Sequence, residues 1–229
     1  MNQWLSDILN LFYPPQCHIC GGDLSPHERF LCPRCLQGLP RTGYHRDPQN
    51  QMVQRFAGQF PFETATGHFF YSRDSSLSQL IQDMKYRGFS KIGDFLGEIC
   101  GKELYYTGYL YDIELIVPIP MHFIKKAKRG YNQTENIAGG ISKITGIPIC
   151  NALKMTRQRN TQTALSKKER LENAEGLFQV KTNLNLNNKH LLLVDDVCTT
   201  GSTIGSAAKT LTEVFPDCKL HLFTVGVTF

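Results

Sequence analysis

A run of four apolar residues followed by two adjacent acids constrains this 229-residue chain more than any other feature. Leu191–Val194 have the composition of a central strand in a parallel sheet, and Asp195 and Asp196 follow at its carboxyl end. The next turn, Thr199–Thr203, combines hydroxyl side chains with Gly201 and precedes a helical pattern. The stretch predicts strand, turn and helix, with two carboxylates at the sheet edge where ligands of open α/β sheets bind.

The predicted turn is suited to hold a phosphate. Backbone N–H groups at the start of a helix lie at the positive end of its dipole, and Gly201 lets the backbone approach an anion closely. Because the carboxylates would repel a bare phosphate, hydroxyls or a metal must lie between them. A ribose 5-phosphate meets this condition, with its 2′ and 3′ hydroxyls on the acids and Mg²⁺ joining the sugar to a pyrophosphate. The site then consists of Asp195, Asp196, Thr199, Thr200, Gly201, Ser202 and Thr203. The alternative is that these residues serve only as turns and caps.

Strand and helix patterns alternate from about residue 67 onward. Strand patterns cover residues 68–71, 113–117, 191–194 and 219–228, and helical patterns cover residues 77–84, 91–106, 131–144 and 203–214. This alternation predicts an α/β fold with a parallel sheet and flanking helices. The predicted organisation is an N-terminal helix and zinc module (1–45), a connector (46–66) and the α/β domain (67–229).

Four of the eight cysteines form two CxxC knuckles, Cys17–Cys20 and Cys32–Cys35, separated by eleven residues. Two such turns supply the four soft ligands that Zn²⁺ prefers, and a set of four thiolates leaves no open coordination position. The pattern predicts a small Cys₄ module with structural zinc, whose folding depends on the metal. A redox-active dithiol is the alternative, and His18 and His27 are substitute ligands to consider.

Overall composition places the chain among soluble proteins. The net charge is +5, the mean hydropathy is −0.27, and no apolar run reaches the length of a membrane span. Apolar residues between Trp4 and Phe12 have helical spacing, which predicts an amphipathic helix that packs on the protein or, alternatively, lies on a membrane surface. Because this segment lacks the basic and cleavage regions of a secretory signal, we expect a cytoplasmic protein.

Residues 191–203 resemble the signature of type I phosphoribosyltransferases, which bind phosphoribosyl pyrophosphate. Nearly the whole chain resembles the ComF (ComFC/GntX-like) family of bacterial competence-associated proteins. The resemblance rests on the CxxC pair and on Met84–Gly88, Val117–Pro120, Arg129–Gln133, Arg157, Thr161–Gln162, Arg170, Asn173, Gly176–Phe178 and the acid pair.

This resemblance implies a type I phosphoribosyltransferase-like domain that binds phosphoribosyl pyrophosphate with Mg²⁺. It assigns catalytic roles to Asp195, Asp196 and Arg129, and adds Lys85 and Arg170 to the ligand-binding residues. It also implies that the polar loop 157–170 closes over the substrate, the alternative being a mobile surface loop.

Positive charge is concentrated in residues 121–170, which contain eleven Lys or Arg and two acids. Lys125, Lys126 and Lys128 would contribute to pyrophosphate binding or form a solvated surface. Asn132 and Gln133 would cap the next helix or hold the preceding loop. Two classes of function remain: a phosphoribosyltransferase with an unidentified nucleophile, or a non-catalytic phosphoribosyl pyrophosphate sensor or single-stranded DNA-binding protein that acts with DNA-uptake proteins.

Overall fold

A parallel sheet forms the centre of the protein, described by a computed structural model over residues 14–156 and 176–228. The strands are β1 (Thr64–Phe70), β2 (Leu115–Pro118), β3 (Leu153–Met155), β4 (Phe178–Val180), β5 (His190–Cys198) and β6 (Lys219–Val227). Within the described ranges, four strands pair in parallel in the order β1-β6-β5-β2, and β3 pairs with β4 in antiparallel orientation.

Helices cover both faces of this sheet. They are α1 (Pro33–Gln37), α2 (Gln51–Phe56), α3 (Ser76–Tyr86), α4 (Lys91–Tyr106), α5 (Phe123–Arg129), α6 (Gln133–Thr145) and α7 (Ser202–Val214), with a 3₁₀ turn at Tyr44–Arg46. Local sequence explains several of their ends. The Ser75 side chain accepts a hydrogen bond from the backbone of Ser78 at the start of α3, and Gly146 ends α6 with φ of 75°.

Strand β5 shows how the sheet divides the core. Leu192 and Val194 pack with residues of α3, α4 and α6, whereas Leu191 and Leu193 pack with residues of α2 and α7. Successive side chains of a strand point to opposite faces, so a strand covered on both sides requires a continuous apolar run. The zinc module joins the first of these two layers through buried Cys17, Leu24, Leu31 and Leu39.

Helices α4 and α6 approach each other closely at two glycines. A Cβ on Gly97 would lie 2.1 Å from the carbonyl oxygen of Ile137, and a Cβ on Gly140 would lie 2.1 Å from that of Asp94. Because no side chain fits at either position, this contact fixes α6 against α4. It thereby fixes the amino end of α6 at the carboxyl edge of the sheet.

The predicted α/β class, with flanking helices and an N-terminal cysteine cluster, is confirmed. The predicted connector of residues 46–66 contains α2 and the first residues of β1, and the division into domains stays a prediction. The predicted helix between Trp4 and Phe12 lies outside the described residues. Among the residues that the structure describes, no helix is long and apolar enough to cross a membrane.

Candidate functional site

The candidate site lies where the chain leaves two neighbouring strands in opposite directions. β2 and β5 are paired from Leu115 opposite Leu191 to Pro118 opposite Val194. After β2 the chain passes through α5 into α6 on one face, and after β5 it continues into α7 on the other face. The diverging connections open a crevice at the carboxyl ends of the strands, which is the usual ligand position in such sheets.

Asp195 and Asp196 lie at this edge, as predicted from the sequence. Both are buried within β5, and the backbone N–H of Asp196 donates to Asp195 Oδ1 at 2.8 Å. Asp195 also lines the pocket formed by the loop that follows the strand. The structure therefore places a buried carboxylate pair beside the predicted phosphate turn.

Lys85, at the end of α3, forms an ion pair with the second acid. Its Nζ lies 2.7 Å from Asp196 Oδ2, to which Gln133 Nε2 also donates at 2.8 Å. Burial acts to lower the pKa of Lys85, but the charge of Asp196, its hydrogen bond and the charge of Asp195 outweigh burial and raise that pKa. The ammonium group is thus held protonated beside the carboxylates.

Arg129 belongs to the same cluster of side chains. Its guanidinium donates to Gln133 Oε1 and lies over the Tyr86 ring, 5.4 Å from the centroid. Gln133 consequently connects Arg129 to Asp196. The structure brings together Lys85, Arg129 and the acid pair, whose roles in ligand binding stay predictions.

The predicted phosphate turn, Thr199–Thr203, forms the loop between β5 and α7. Gly201 caps α7 with φ of 79°, and Thr200 Oγ1 lies 2.9 Å from Ser202 Oγ. Thr199–Thr203 line a small pocket directly before the first turn of the helix. Backbone amides and hydroxyls that converge at the positive end of a helix dipole favour a phosphate group.

Helix α2 supports this loop from behind, a role that no sequence pattern indicated. Arg55 Nη1 donates to the carbonyl oxygen of Thr199 at 2.7 Å, and Arg55 Nη2 donates to that of Thr228. A Cβ on Gly201 would lie 2.7 Å from ring carbons of Phe56. Because Arg55 and Phe56 lie far from the loop in sequence, only folding reveals their function.

The connection after β2 is held by the first residues of α6. Asn132 Nδ2 donates to the Ile119 carbonyl oxygen at 3.2 Å, and Thr134 Oγ1 donates to the same oxygen at 2.5 Å. The Asn132 side chain makes no capping hydrogen bond to the first turn of α6. The Asn132 side chain therefore holds the preceding loop rather than capping the helix, and Gln133 contacts Asp196 and Arg129. The basic run forms α5, whose lysines are exposed, and Lys126 pairs with Glu135 at 3.0 Å.

The predicted site residue Arg170 and the loop 157–170 lie outside the described residues.

The sulfur atoms of Cys17, Cys20, Cys32 and Cys35 form a second candidate centre, all within 4.8 Å of one another. The Cys20 and Cys32 sulfurs are 3.9 Å apart, close to the separation of about 3.8 Å that four Zn–S bonds of 2.3 Å require. Gly21, with φ of 71°, closes the first turn by donating its N–H to the Cys17 carbonyl oxygen.

The electrostatics of this cluster suit a cation. Against the opposing influence of burial, backbone N–H groups of Cys20, Cys32 and Ile19 lower the pKa of Cys17 to about 6. Burial and the neighbouring cysteines raise the pKa of Cys35 to about 12. Cys17 thus ionises readily, whereas ionisation of Cys35 is unfavourable beside the other cysteines. A divalent cation bound between the sulfur atoms would offset this repulsion and favour the thiolate form of all four. His18 points to Asp83 instead, with its Nδ1 2.7 Å from Oδ2.

Comparison with known proteins agrees with the cysteine centre and finds relatives over most of the chain. Residues 8–46 match the double zinc ribbon domain. The chain is 27% identical to Competence protein F of Haemophilus influenzae over 208 residues, covering 87% of this chain and 80% of that protein. This chain and Competence protein F are homologues. The chain is also 28% identical to DNA utilization protein YhgH of Escherichia coli over 199 residues, which cover 85% of this chain and 83% of that protein. It is 24% identical to Competence protein ComFC of Bacillus subtilis over 216 residues, which cover 91% of this chain and 82% of that protein.

These homologues confirm the predicted resemblance to the ComF family over most of the chain. The zinc ribbon match and the four-cysteine cluster together support a structural zinc ion held by the four sulfurs. Cys100, Cys198 and Cys218, which the sequence left outside this set, are buried in the core.

Proposed function

We propose that the protein binds phosphoribosyl pyrophosphate with Mg²⁺ and transfers its ribosyl phosphate group to a nucleophile during DNA uptake. One observation carries this proposal: a buried carboxylate pair on β5 lies just before the Thr199–Thr203 loop at the start of α7. A ribose 5-phosphate presents hydroxyls for the acids and a phosphate for the start of the helix. The process is inferred from the names of the homologues, which include competence and DNA utilization proteins.

Each part of the ligand has a partner in the cluster. The 5′-phosphate occupies Thr199–Thr203, and the ribose hydroxyls donate to Asp195 and Asp196. Lys85 offsets the negative charge of the acids, so that an anionic ligand is tolerated. Mg²⁺ prefers hard oxygen ligands of this type and would neutralise the leaving pyrophosphate. Arg129 supplies a further cation at the same edge of the sheet.

In the proposed reaction a lone pair of the nucleophile forms a bond to C1 of the ribose. The bond from C1 to the pyrophosphate oxygen breaks, pyrophosphate leaves with the electron pair, and the proton of the nucleophile passes to water. Configuration at C1 inverts. Arg129 would stabilise the pyrophosphate leaving group as its negative charge increases, and Mg²⁺, if held near Asp195 and Asp196, would supply further positive charge.

A second candidate function is the binding of single-stranded DNA without transfer. It is favoured by two exposed aromatic rings: Tyr86, which contacts Arg129 and is 77% exposed, and Phe123 of α5, which is 71% exposed. Lys125 and Lys128 are exposed on the helix that carries Phe123. Aromatic rings interleaved with cations are the usual platform for single strands.

Calorimetry of the zinc-loaded protein against phosphoribosyl pyrophosphate and Mg²⁺ tests the proposal. Asp195→Asn combined with Asp196→Asn should abolish binding, whereas Asp217→Asn, an exposed acid just beyond the far end of α7, should not change the affinity. Unchanged affinity of the double variant would refute the site. Pyrophosphate release in the presence of nucleobases, ammonia or single-stranded DNA distinguishes a transferase from a protein that only binds.

A further inference from the structure

The first cysteine knuckle contacts α3 through His18. His18 Nδ1 donates to Asp83 Oδ2 at 2.7 Å, and the Asp83 side chain is only 3% exposed. The His18 ring packs edge-on against Phe89 with a centroid separation of 4.7 Å, and the His18 carbonyl accepts a hydrogen bond from Gln79. The knuckle therefore contacts α3 at Gln79 and Asp83, and it contacts Phe89 just beyond the helix.

The same turn of α3 carries Lys85. At about 100° per residue, positions 83 and 85 lie on nearly opposite sides of a helix. Asp83 accordingly contacts the knuckle while Lys85 reaches Asp196, 2.7 Å away. The Tyr131 hydroxyl donates to the carbonyl oxygen of the intervening Met84. This helix end thus connects the zinc cluster to the acid pair through directly bonded groups.

We propose that His18 and Asp83 position Lys85, so that zinc occupancy of the cysteine cluster and affinity for phosphoribosyl pyrophosphate are thermodynamically linked. The inference rests on the proposed function. A hydrogen bond to a buried carboxylate is strong and directional, and it fixes the rotation of α3 that Lys85 requires. Loss of zinc releases the knuckle and with it this restraint. By reciprocity, the ligand must raise zinc affinity by the factor by which zinc raises ligand affinity.

A second contact of the zinc module provides a matched control. Arg29 Nη2 lies 2.5 Å from Glu98 Oε2, which joins the module to α4. Among the described contacts of Asp196, none comes from α4. Glu98 also pairs with Lys143 of α6, and Asp83 also pairs with the exposed Arg87, each at 3.0 Å. Glu98→Gln therefore weakens docking of the module without removing a contact of Lys85, whereas Asp83→Asn weakens the contact that positions Lys85.

The test compares these two variants as zinc-loaded full-length proteins. Asp83→Asn should keep its zinc yet bind phosphoribosyl pyrophosphate and Mg²⁺ at least about fivefold more weakly, the lower end of typical coupling between sites. Glu98→Gln should bind like the wild type. In chelator competition, the ligand should raise the zinc affinity of the wild type and of Glu98→Gln by more than that of Asp83→Asn.

Substitution of His18 separates positioning from folding. His18→Asn retains an N–H donor near the position of Nδ1 and should keep more ligand affinity than His18→Leu at equal zinc content. If Asp83→Asn does not fold, the comparison of His18→Asn with His18→Leu tests the positioning role instead. A wild type that binds no ligand overturns the proposed function and this link together. Normal ligand affinity and normal zinc linkage in Asp83→Asn overturn the positioning role alone.

Discussion

Lys85 Nζ lies 2.7 Å from Asp196 Oδ2, and this ion pair joins a helix on one face of the sheet to the central strand β5. The Lys85 side chain is 22% exposed and that of Asp196 is 7% exposed. A buried carboxylate that loses its partner is costly, whereas an exposed pair contributes little. The pair therefore supports the fold as well as the site.

Replacement of Lys85 should destabilise the protein. Lys85→Met leaves Asp196 with Gln133 but without its cation, and we expect the free energy of unfolding in urea at pH 7 to fall by about 1–3 kcal/mol. Lys189→Met, which removes an exposed partner of Glu114, should change it by less than about 0.5 kcal/mol. Equal losses in the two variants would contradict the structural role of the Lys85 pair.

Replacement of Gly201 should disrupt the Thr199–Thr203 loop. Gly201→Ala combines a φ of 79° with a Cβ placed 2.7 Å from the Phe56 ring, so it should abolish ligand binding in calorimetry. The matched control is Gly146→Ala, which has φ of 75° but no atom within 4 Å of the new Cβ. This control should cost about 1 kcal/mol of stability and leave ligand affinity unchanged. Ligand binding by Gly201→Ala at wild-type affinity would show that the loop is not the phosphate site.

Removal of the metal should unfold the N-terminal module. A chelator is expected to release one equivalent of zinc and to lower the melting temperature, because the four-cysteine centre contributes to folding. Cys35→Ser should abolish stoichiometric zinc, whereas Cys218→Ala, outside the cluster, should retain it. A metal-free protein that keeps the wild-type melting temperature would argue against structural zinc.

Stability should decrease in acid partly through Glu103. His68, with Nε2 3.3 Å from the carboxylate, lowers the pKa of Glu103 to about 2 against the opposing influence of burial, and Arg41 adds to the effect. A carboxyl whose pKa is lowered by folding stabilises the native state above its ordinary value of 4.5, and this contribution is lost as pH falls toward 2.

Glu103→Gln cannot ionise, so its melting temperature should fall less than that of the wild type between pH 4.5 and pH 2. The measurement is a series of thermal unfolding curves for the two proteins across this range. If the melting temperatures of the two proteins fall by the same amount across this range, the pKa of Glu103 is not lowered by folding.

Features encoded within a few consecutive residues were predicted well from the sequence. Strand β5, its two acids and the loop at Gly201 follow from an apolar run, adjacent carboxylates and a glycine. The cysteine cluster follows from ligand spacing, because each knuckle is a single turn. The helical patterns at residues 91–106 and 203–214 correspond to α4 and α7 within one residue at either end.

Contacts between distant segments were missed or left undecided. Arg55 lies in a stretch that the sequence indicated only as connector, yet it holds the Thr199 carbonyl. Gln133 was left between two roles, and its contact with Asp196 spans 63 residues. No periodicity or motif encodes such pairs, because they depend on how α2 and α6 pack on the sheet.

The sequence by itself determined which groups are available: a strand with two acids, a turn of hydroxyl residues around Gly201 and four cysteines at the spacing of metal ligands. Their local geometry depends on backbone preferences and short-range spacing, which act before the chain is compact. Only the tertiary structure decided that Lys85 pairs with Asp196, that Phe56 packs on Gly201, and that His18 meets Asp83. These relationships arise when the packing of helices on both faces of the sheet fixes the distances between segments far apart in the chain.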